Sequence, residues 1–169
     1  MRSKSLLGSD GVDERHPVDV IWERGEPSAF DVDLGALAAT VLAGEGAPQG
    51  RPVIIVITGD EAVQALNREF LGIDEPTDVL SFPYEGSEVF PMPDEQPFGE
   101  LFVALPTVER QAREYGLPVA KELAHVVVHG ILHLCGYDHA VSAEEEARMR
   151  AREEAYLGDL GPAHAHRAT

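Results

Sequence analysis

The most restrictive stretch of the chain runs His125-Val126-Val127-Val128-His129-Gly130-Ile131-Leu132-His133-Leu134-Cys135-Gly136-Tyr137-Asp138-His139. At ~100° per residue, His125, His129 and His133 fall within an ~80° sector of a helix. The other sides carry Val126, Val127, Val128, Ile131, Leu132 and Leu134. A helix apolar nearly all round belongs at the centre of a fold, and the remaining elements must cover it. Imidazoles are costly to bury there unless each finds a partner. One such histidine reads as a satisfied core residue. Two at i and i+4, with a third six residues on, form a metal-ligand pattern, and zinc is the default ion for imidazoles.

His125, His129 and His133 together span two turns, ~12 Å, too far for a single ion. The third ligand therefore comes from outside the helix. Gly136 suits the left-handed conformation that ends a helix, and the returning chain brings His139 back. The expected zinc ligands are His129, His133 and His139, with one ion per chain. His125 is expected beside the site, either as a hydrogen-bond partner of it or as a core residue. Three protein ligands leave a fourth position for water, which marks a catalytic rather than a structural site. Cys135 lies ~200° round from His133 and reads as a packed thiol.

The elements around this helix alternate. Val18–Trp22 alternates like a short strand. Phe30 to Ala43 carries Leu34, Leu37, Ala38, Val41 and Leu42 at helical spacing. Val53–Ile57 is a β-branched run suited to a strand buried on both faces. Asp60 is placed to cap a helix whose Val63, Leu66 and Phe70 share a face. Asp78–Phe82 reads as a strand stopped by Pro83, and Gly99–Leu105 as another. Residues 85–98 hold three prolines with Phe90 and Phe98 and read as a long loop. Helices are expected from Pro106 to about Tyr115 and from Pro118 to about Cys135. A last helix opens on a Ser142/Glu145 capping box, with Ala143, Ala147, Ala151 and Ala155 as its packing stripe. The expected fold is α+β with an α/β-like character: one domain, a small mixed sheet of about four strands, and about five helices around the central one. The domain is assigned to 17–158, between an arm at 1–16 and a tail at 159–169 in which His164 and His166 read as terminal residues.

Composition narrows the function classes. The chain has 169 residues, which suits a single domain. It has 13 Lys+Arg against 30 Asp+Glu and a net charge of −17. That excludes a broad basic face, the usual source of tight non-specific nucleic-acid binding. No apolar run approaches the ~20 residues needed to cross a bilayer, and no signal peptide is evident at the start, so a cytoplasmic protein without a membrane partner is expected. The single Cys135 excludes an internal disulfide framework and a cysteine-based zinc site.

The His129-Gly-x-Leu-His133-Leu-x-Gly136-Tyr137-Asp138-His139 segment resembles the signature of the YbeY family of bacterial endoribonucleases. Three further blocks agree, in order. Leu66-Asn67 precedes Pro76-Thr77-Asp78-Val79-Leu80-Ser81-Phe82-Pro83. Gly99-Glu100-Leu101 stands where the family usually has Gly-Asp-Ile. Gln111-Ala112 follows in the next helix. The resemblance covers about Asp60 to Leu157. It implies a zinc-dependent endoribonuclease directed at single-stranded RNA, acting in ribosomal RNA maturation and ribosome quality control, with ribosomal particles and assembly proteins as partners and DNA not among them. It places the three ligands on His129, His133 and His139. The family's usual basic residue near the metal falls on Leu71; Arg68, one turn earlier, either substitutes for it or is an exposed helix residue.

Two other readings remain beside this one. The spacing His-x3-His-x2-Gly-x2-His is also that of metzincin peptidases, but their general-base Glu is replaced by Gly130. A ribosome assembly factor with little or no activity is the other. Arg68, Asp78 and Asp138 are the candidate catalytic residues. Thr77, Asp78 and Ser81 are placed to line a cleft, and Asp78 either orients a histidine ligand through its second nitrogen or serves a turn. Asp138 acts near the metal or caps locally. Tyr137 either stacks on a base or packs at the helix end. The 85–98 loop either closes over substrate or is a variable connection. Arg110, Arg113 and Lys121, with Arg148, Arg150 and Arg152 as a second cluster, are the cations available to RNA.

Overall fold

The computed structural model of the protein describes residues 15–84, 97–138 and 140–158. The 1–16 arm lies almost wholly outside these residues. So do the tail with His164 and His166, most of the 85–98 loop with Phe90, and His139.

The β-branched run forms β2 (Val53–Thr58) in the interior of a four-stranded mixed sheet of order β1-β2-β4-β3. β1 (Val18–Trp22) pairs parallel to it, from Val18↔Val53 to Trp22↔Ile57. β4 (Gly99–Ala104) pairs parallel on its other side, from Val53↔Gly99 to Thr58↔Ala104. β3 (Val79–Pro83) runs antiparallel along β4, with Ser81 opposite Leu101 and Pro83 opposite Gly99. Pro83 is therefore the last residue of an edge strand, where its missing N–H removes no central ladder bond.

The two-residue period sorts the sheet into two faces. Val79, Leu101 and Val103 join the main core. Leu80, Phe82, Phe102 and Ala104 pack instead with Val63 and Leu66 of α2 (Asp60–Leu71). The main face is covered by α1 (Leu34–Gly44), α3 (Leu105–Tyr115) and α4 (Val119–Leu134). Eleven of the sixteen residues of α4 are buried, so the histidine helix is central, as its sequence requires. Each fully buried Val, Leu or Ile on it contributes ~1.5–3 kcal/mol of transfer free energy.

α4 lies so close to the sheet that Gly130 has no room for a side chain. A Cβ there would meet Leu101 Cδ2 at 2.9 Å and Val79 Cγ2 at 3.2 Å. The Gly130 carbonyl accepts from Ser81 Oγ at 3.1 Å, which ties β3 to α4.

Three local expectations change. α1 begins at Leu34 because Asp33 caps it, its carboxylate accepting from Ala36 N; Phe30 precedes it, after a short 3-10 turn over Pro27–Ala29. Asp60 is the first residue of α2 rather than its cap. Its carboxylate accepts from Thr107 Oγ1 and Arg110 and so joins α2 to α3. In α5 (Ala143–Leu157), Ser142 does cap, accepting from Glu145 N, but the Glu145 carboxylate pairs with Arg148. The alanines of α5 are exposed, and the buried residues are Met149 and Glu153. The packing face is turned toward the histidines of α4, where a carboxylate finds hydrogen-bond donors that an alanine would leave unused.

Candidate metal centre

α4 ends at Leu134, and Gly136 follows in the left-handed region at φ 104°. Gly136 N donates to His133 O and Tyr137 N to Leu132 O, which folds the chain back over the last turn. This reversal carries the Tyr137 carbonyl to 2.8 Å from Nδ1 of His133. One turn earlier, Nδ1 of His129 lies 2.5 Å from Glu153 Oε2. With both Nδ1 atoms facing acceptors, the Nε2 atoms of His129 and His133 converge to 3.2 Å, the rings nearly perpendicular at 83°. His125 is 1% exposed and sits apart from this pair, its Nε2 2.8 Å from Glu153 Oε1. Among the described residues no three potential ligands converge; His129 and His133 do, and His139 lies outside the described residues.

Glu153 is the residue that sequence reasoning missed. Burial alone would raise its pKa, but hydrogen bonds from His125 and His129 outweigh this and hold it well below the usual carboxylate range. Tyr137 is anchored in turn. Its hydroxyl donates to Glu45 Oε1 at 2.6 Å, and the Arg148 guanidinium lies 4.3 Å from its ring centroid. Glu45 also accepts from Tyr156 and from two nitrogens of Arg152. Helix-end packing thus occupies the Tyr137 ring. Cys135 is half-buried, and burial, with Glu45 adding to it, pushes its thiol up to about 11, so it stays protonated and inert at neutral pH.

His129 and His133 open onto a cleft of about 1020 Å³. Thr77, Ser81 and Asp138 contribute polar atoms to its lining, while Leu71, Ile73 and Pro76 make an apolar part. Among the described residues no Lys or Arg lines it. Asp138 is exposed and accepts from Ala140 N at 3.0 Å, a local turn bond. Asp78 is 1% exposed and does not line the cleft. The second nitrogens of His129 and His133 face Glu153 and the Tyr137 carbonyl, not Asp78. Leu71 lines the cleft and is 56% exposed, whereas Arg68 points elsewhere and pairs with Asp74 at 3.4 Å. Asn67 is buried and donates to Glu75 O at 2.9 Å, which shapes the turn that delivers Pro76 and Thr77 to the cleft. Among the other cations, Arg110 pairs with Asp60, Arg148 with Glu145, Arg150 with Glu154 and Arg152 with Glu45. Arg113 and Lys121 are exposed. No helix among the described residues is long and apolar enough to cross a membrane.

Residues 28–161 match the family model described as Endoribonuclease YbeY. A protein named Endoribonuclease YbeY from Chloroflexus aurantiacus is 48% identical over 127 residues, covering 73% of this chain and 82% of its own. Another of that name, from Heliobacterium modesticaldum, is 38% identical over 162 residues, covering 89% of this chain and 93% of its own. The solution structure of TM1509 from Thermotoga maritima superposes with a TM-score of 0.54 at 29% identity, covering 89% of this chain and 96% of that one. The α4 histidines and a family match over most of the chain agree, and the chain belongs to the YbeY endoribonuclease family.

Proposed function

We propose that the protein is a zinc-dependent endoribonuclease that cleaves single-stranded RNA during ribosomal RNA maturation and quality control in the cytoplasm, with His129, His133 and His139 holding the metal. The observation that carries this reading is the 3.2 Å approach of the two Nε2 atoms at an open cleft. Two ligands ~2.0–2.1 Å from zinc at a tetrahedral angle stand ~3.3 Å apart. With Nδ1 of each ring donating to an acceptor, both Nε2 atoms present lone pairs toward the same point. A shared cation suits that arrangement, and the donor set of imidazoles suits zinc.

When bound, zinc supplies Lewis-acid polarisation of a phosphate oxygen and acidifies water. The nucleophile is either water or a ribose 2′-hydroxyl. The chain's own residues do the positioning. The Tyr137 carbonyl holds the His133 ring in place. The apolar lining of Leu71, Ile73 and Pro76 suits unpaired bases, whose faces a duplex would hide. Arg148, whose guanidinium lies 4.3 Å from the ring of the cleft residue Tyr137, is a cation available to a phosphate if its pair with Glu145 opens. With a net charge of −17 and most of these cations paired, RNA engagement is weak and local, and assembly proteins on ribosomal particles deliver the substrate.

A second reading, an assembly factor with weak activity, is favoured by one observation: Leu71 occupies the cleft where the family resemblance expects a basic residue. The peptidase reading loses ground, because a side chain at position 130 would be driven between Leu101 and Val79 rather than into the cleft. Cleavage of an unstructured RNA by protein of defined metal content tests the proposal. Zinc-loaded protein should cut, and chelator or His133→Ala should abolish cutting. Full zinc loading without cleavage would select the assembly-factor reading.

A further inference from the structure

Glu153 of α5 is 5% exposed and places one oxygen on each of two α4 histidines, 2.8 Å from His125 Nε2 and 2.5 Å from His129 Nδ1. The polar groups continue behind His125. Its Nδ1 is 4.0 Å from Glu122 Oε1, and Glu122 is fully buried. With the Gln111 amide oriented nitrogen-inward, that nitrogen donates to Glu122 Oε2 at 2.9 Å and to Asp78 Oδ2 at 3.2 Å. Three buried carboxylates thus form a line from the start of β3, through α3 and α4, to α5. Such a line is a poor way to stabilise a core, since apolar residues of similar volume usually do as well or better. Its end point is the ring of His129.

We propose that Glu153 is a positioning residue for the metal centre. It accepts the Nδ1 proton of His129 and so fixes the tautomer whose Nε2 faces the cleft, while His125 holds the other carboxylate oxygen. A carboxylate on the far nitrogen also makes the imidazole a better donor to a cation. Because Glu153 belongs to α5, docking of α5 and metal binding favour one another, as linkage requires. This role rests on the reading of His129 as a metal ligand.

The experiment compares the full-length wild type with Glu153→Gln and Glu153→Ala. It measures zinc affinity by competition with a chromophoric chelator, the thermal midpoint of each metal-free protein, and the ¹⁵N shifts of the imidazoles. Glu153→Ala should weaken zinc binding ~100-fold and Glu153→Gln ~10-fold. The metal-free alanine variant should show His129 as a mixture of tautomers. Glutamine, whose oxygen still accepts, should retain the Nδ1–H form, and this isosteric variant carries the test if the alanine variant does not fold. Zinc affinity within twofold of wild type in both variants would overturn the proposal. So would an affinity loss in Glu153→Ala matched by lost metal-free stability with its His129 tautomer unchanged. Wild type that binds no zinc would overturn the metal reading itself and this role with it. Wild-type binding with unaffected variants would overturn the role alone.

Discussion

The backbone carbonyl of Tyr137 lies 2.8 Å from Nδ1 of His133, four residues earlier in the chain. One residue therefore orients a candidate ligand with its main chain and locks itself down with its side chain, through the 2.6 Å bond to Glu45. The two roles separate by mutation. Tyr137→Phe keeps the carbonyl and the ring under Arg148 but removes one of the donors that Glu45 accepts from. The variant should lose ~1–2 kcal/mol in denaturant unfolding and hold zinc with affinity close to wild type. A large drop in zinc affinity would show that the carbonyl is positioned by the hydroxyl and not by the turn at Gly136.

Gly130 is set by the packing of α4 on the sheet. In an exposed helix, alanine at this position would gain ~1 kcal/mol in propensity. Here its Cβ would press on Leu101 Cδ2 at 2.9 Å and Cδ1 at 3.1 Å, and Leu101 is fully buried, so its shift must be passed on to its neighbours. Overpacking of this kind costs ~1–3 kcal/mol. Gly130→Ala is therefore expected to be net destabilising by about 1 kcal/mol, read as a lower urea midpoint with unchanged slope. A stabilised variant would mean that α4 can lift from β4 at little cost.

Much of the candidate site was legible because a metal-ligand pattern is a local spacing. The His129/His133 pair and the glycine that reverses the chain are three to four residues apart, within the reach of helical phase. Glu153 was not legible by the same means. It is one of five glutamates in α5, and the alanines at 143, 147, 151 and 155 make a cleaner apolar period than the true face of Met149, Glu153 and Tyr156. The polarity of Glu153 hid its burial, since only its partners on α4, 24 and 28 residues earlier, make that burial tolerable. The β-strands were placed from alternation, a β-branched run and the glycines and prolines that bound them. Their order was not, because the pairing of β4 between β2 and β3 depends on contacts between segments distant in sequence.

Acid should expose the Glu45 cluster. Burial alone would raise the Glu45 pKa, but hydrogen bonds from Tyr137, Tyr156 and Arg152 outweigh it and leave the folded value below the ordinary 4.5. A group whose pKa is depressed by folding stabilises the fold above its unfolded pKa and loses that contribution as pH falls through the folded value. The stability difference between wild type and Glu45→Gln should be full at neutral pH and shrink progressively below about pH 4.5. Unfolding free energies of both proteins from pH 7 to pH 3 would check this. A difference that stays constant over that range would remove ionised Glu45 from the account.

Leu71 and Arg68 divide what a single basic residue would do. Leu71 is in the cleft without a charge, and Arg68 is charged but paired to Asp74 outside the cleft. Arg68→Ala should change stability by less than ~0.5 kcal/mol, as surface substitutions usually do, and leave RNA cleavage unaltered. Leu71→Arg should place a guanidinium in the cleft that His129 and His133 line. One added phosphate contact raises the salt dependence of RNA binding by about one unit of slope. Cleavage by the zinc-loaded variant should rise, most clearly at low ionic strength, where the charge is least screened. If Leu71→Arg binds RNA more tightly yet cuts no faster, the cleft's deficit lies elsewhere than at position 71, and the apolar lining is then better read as a seat for bases than as a missing cation.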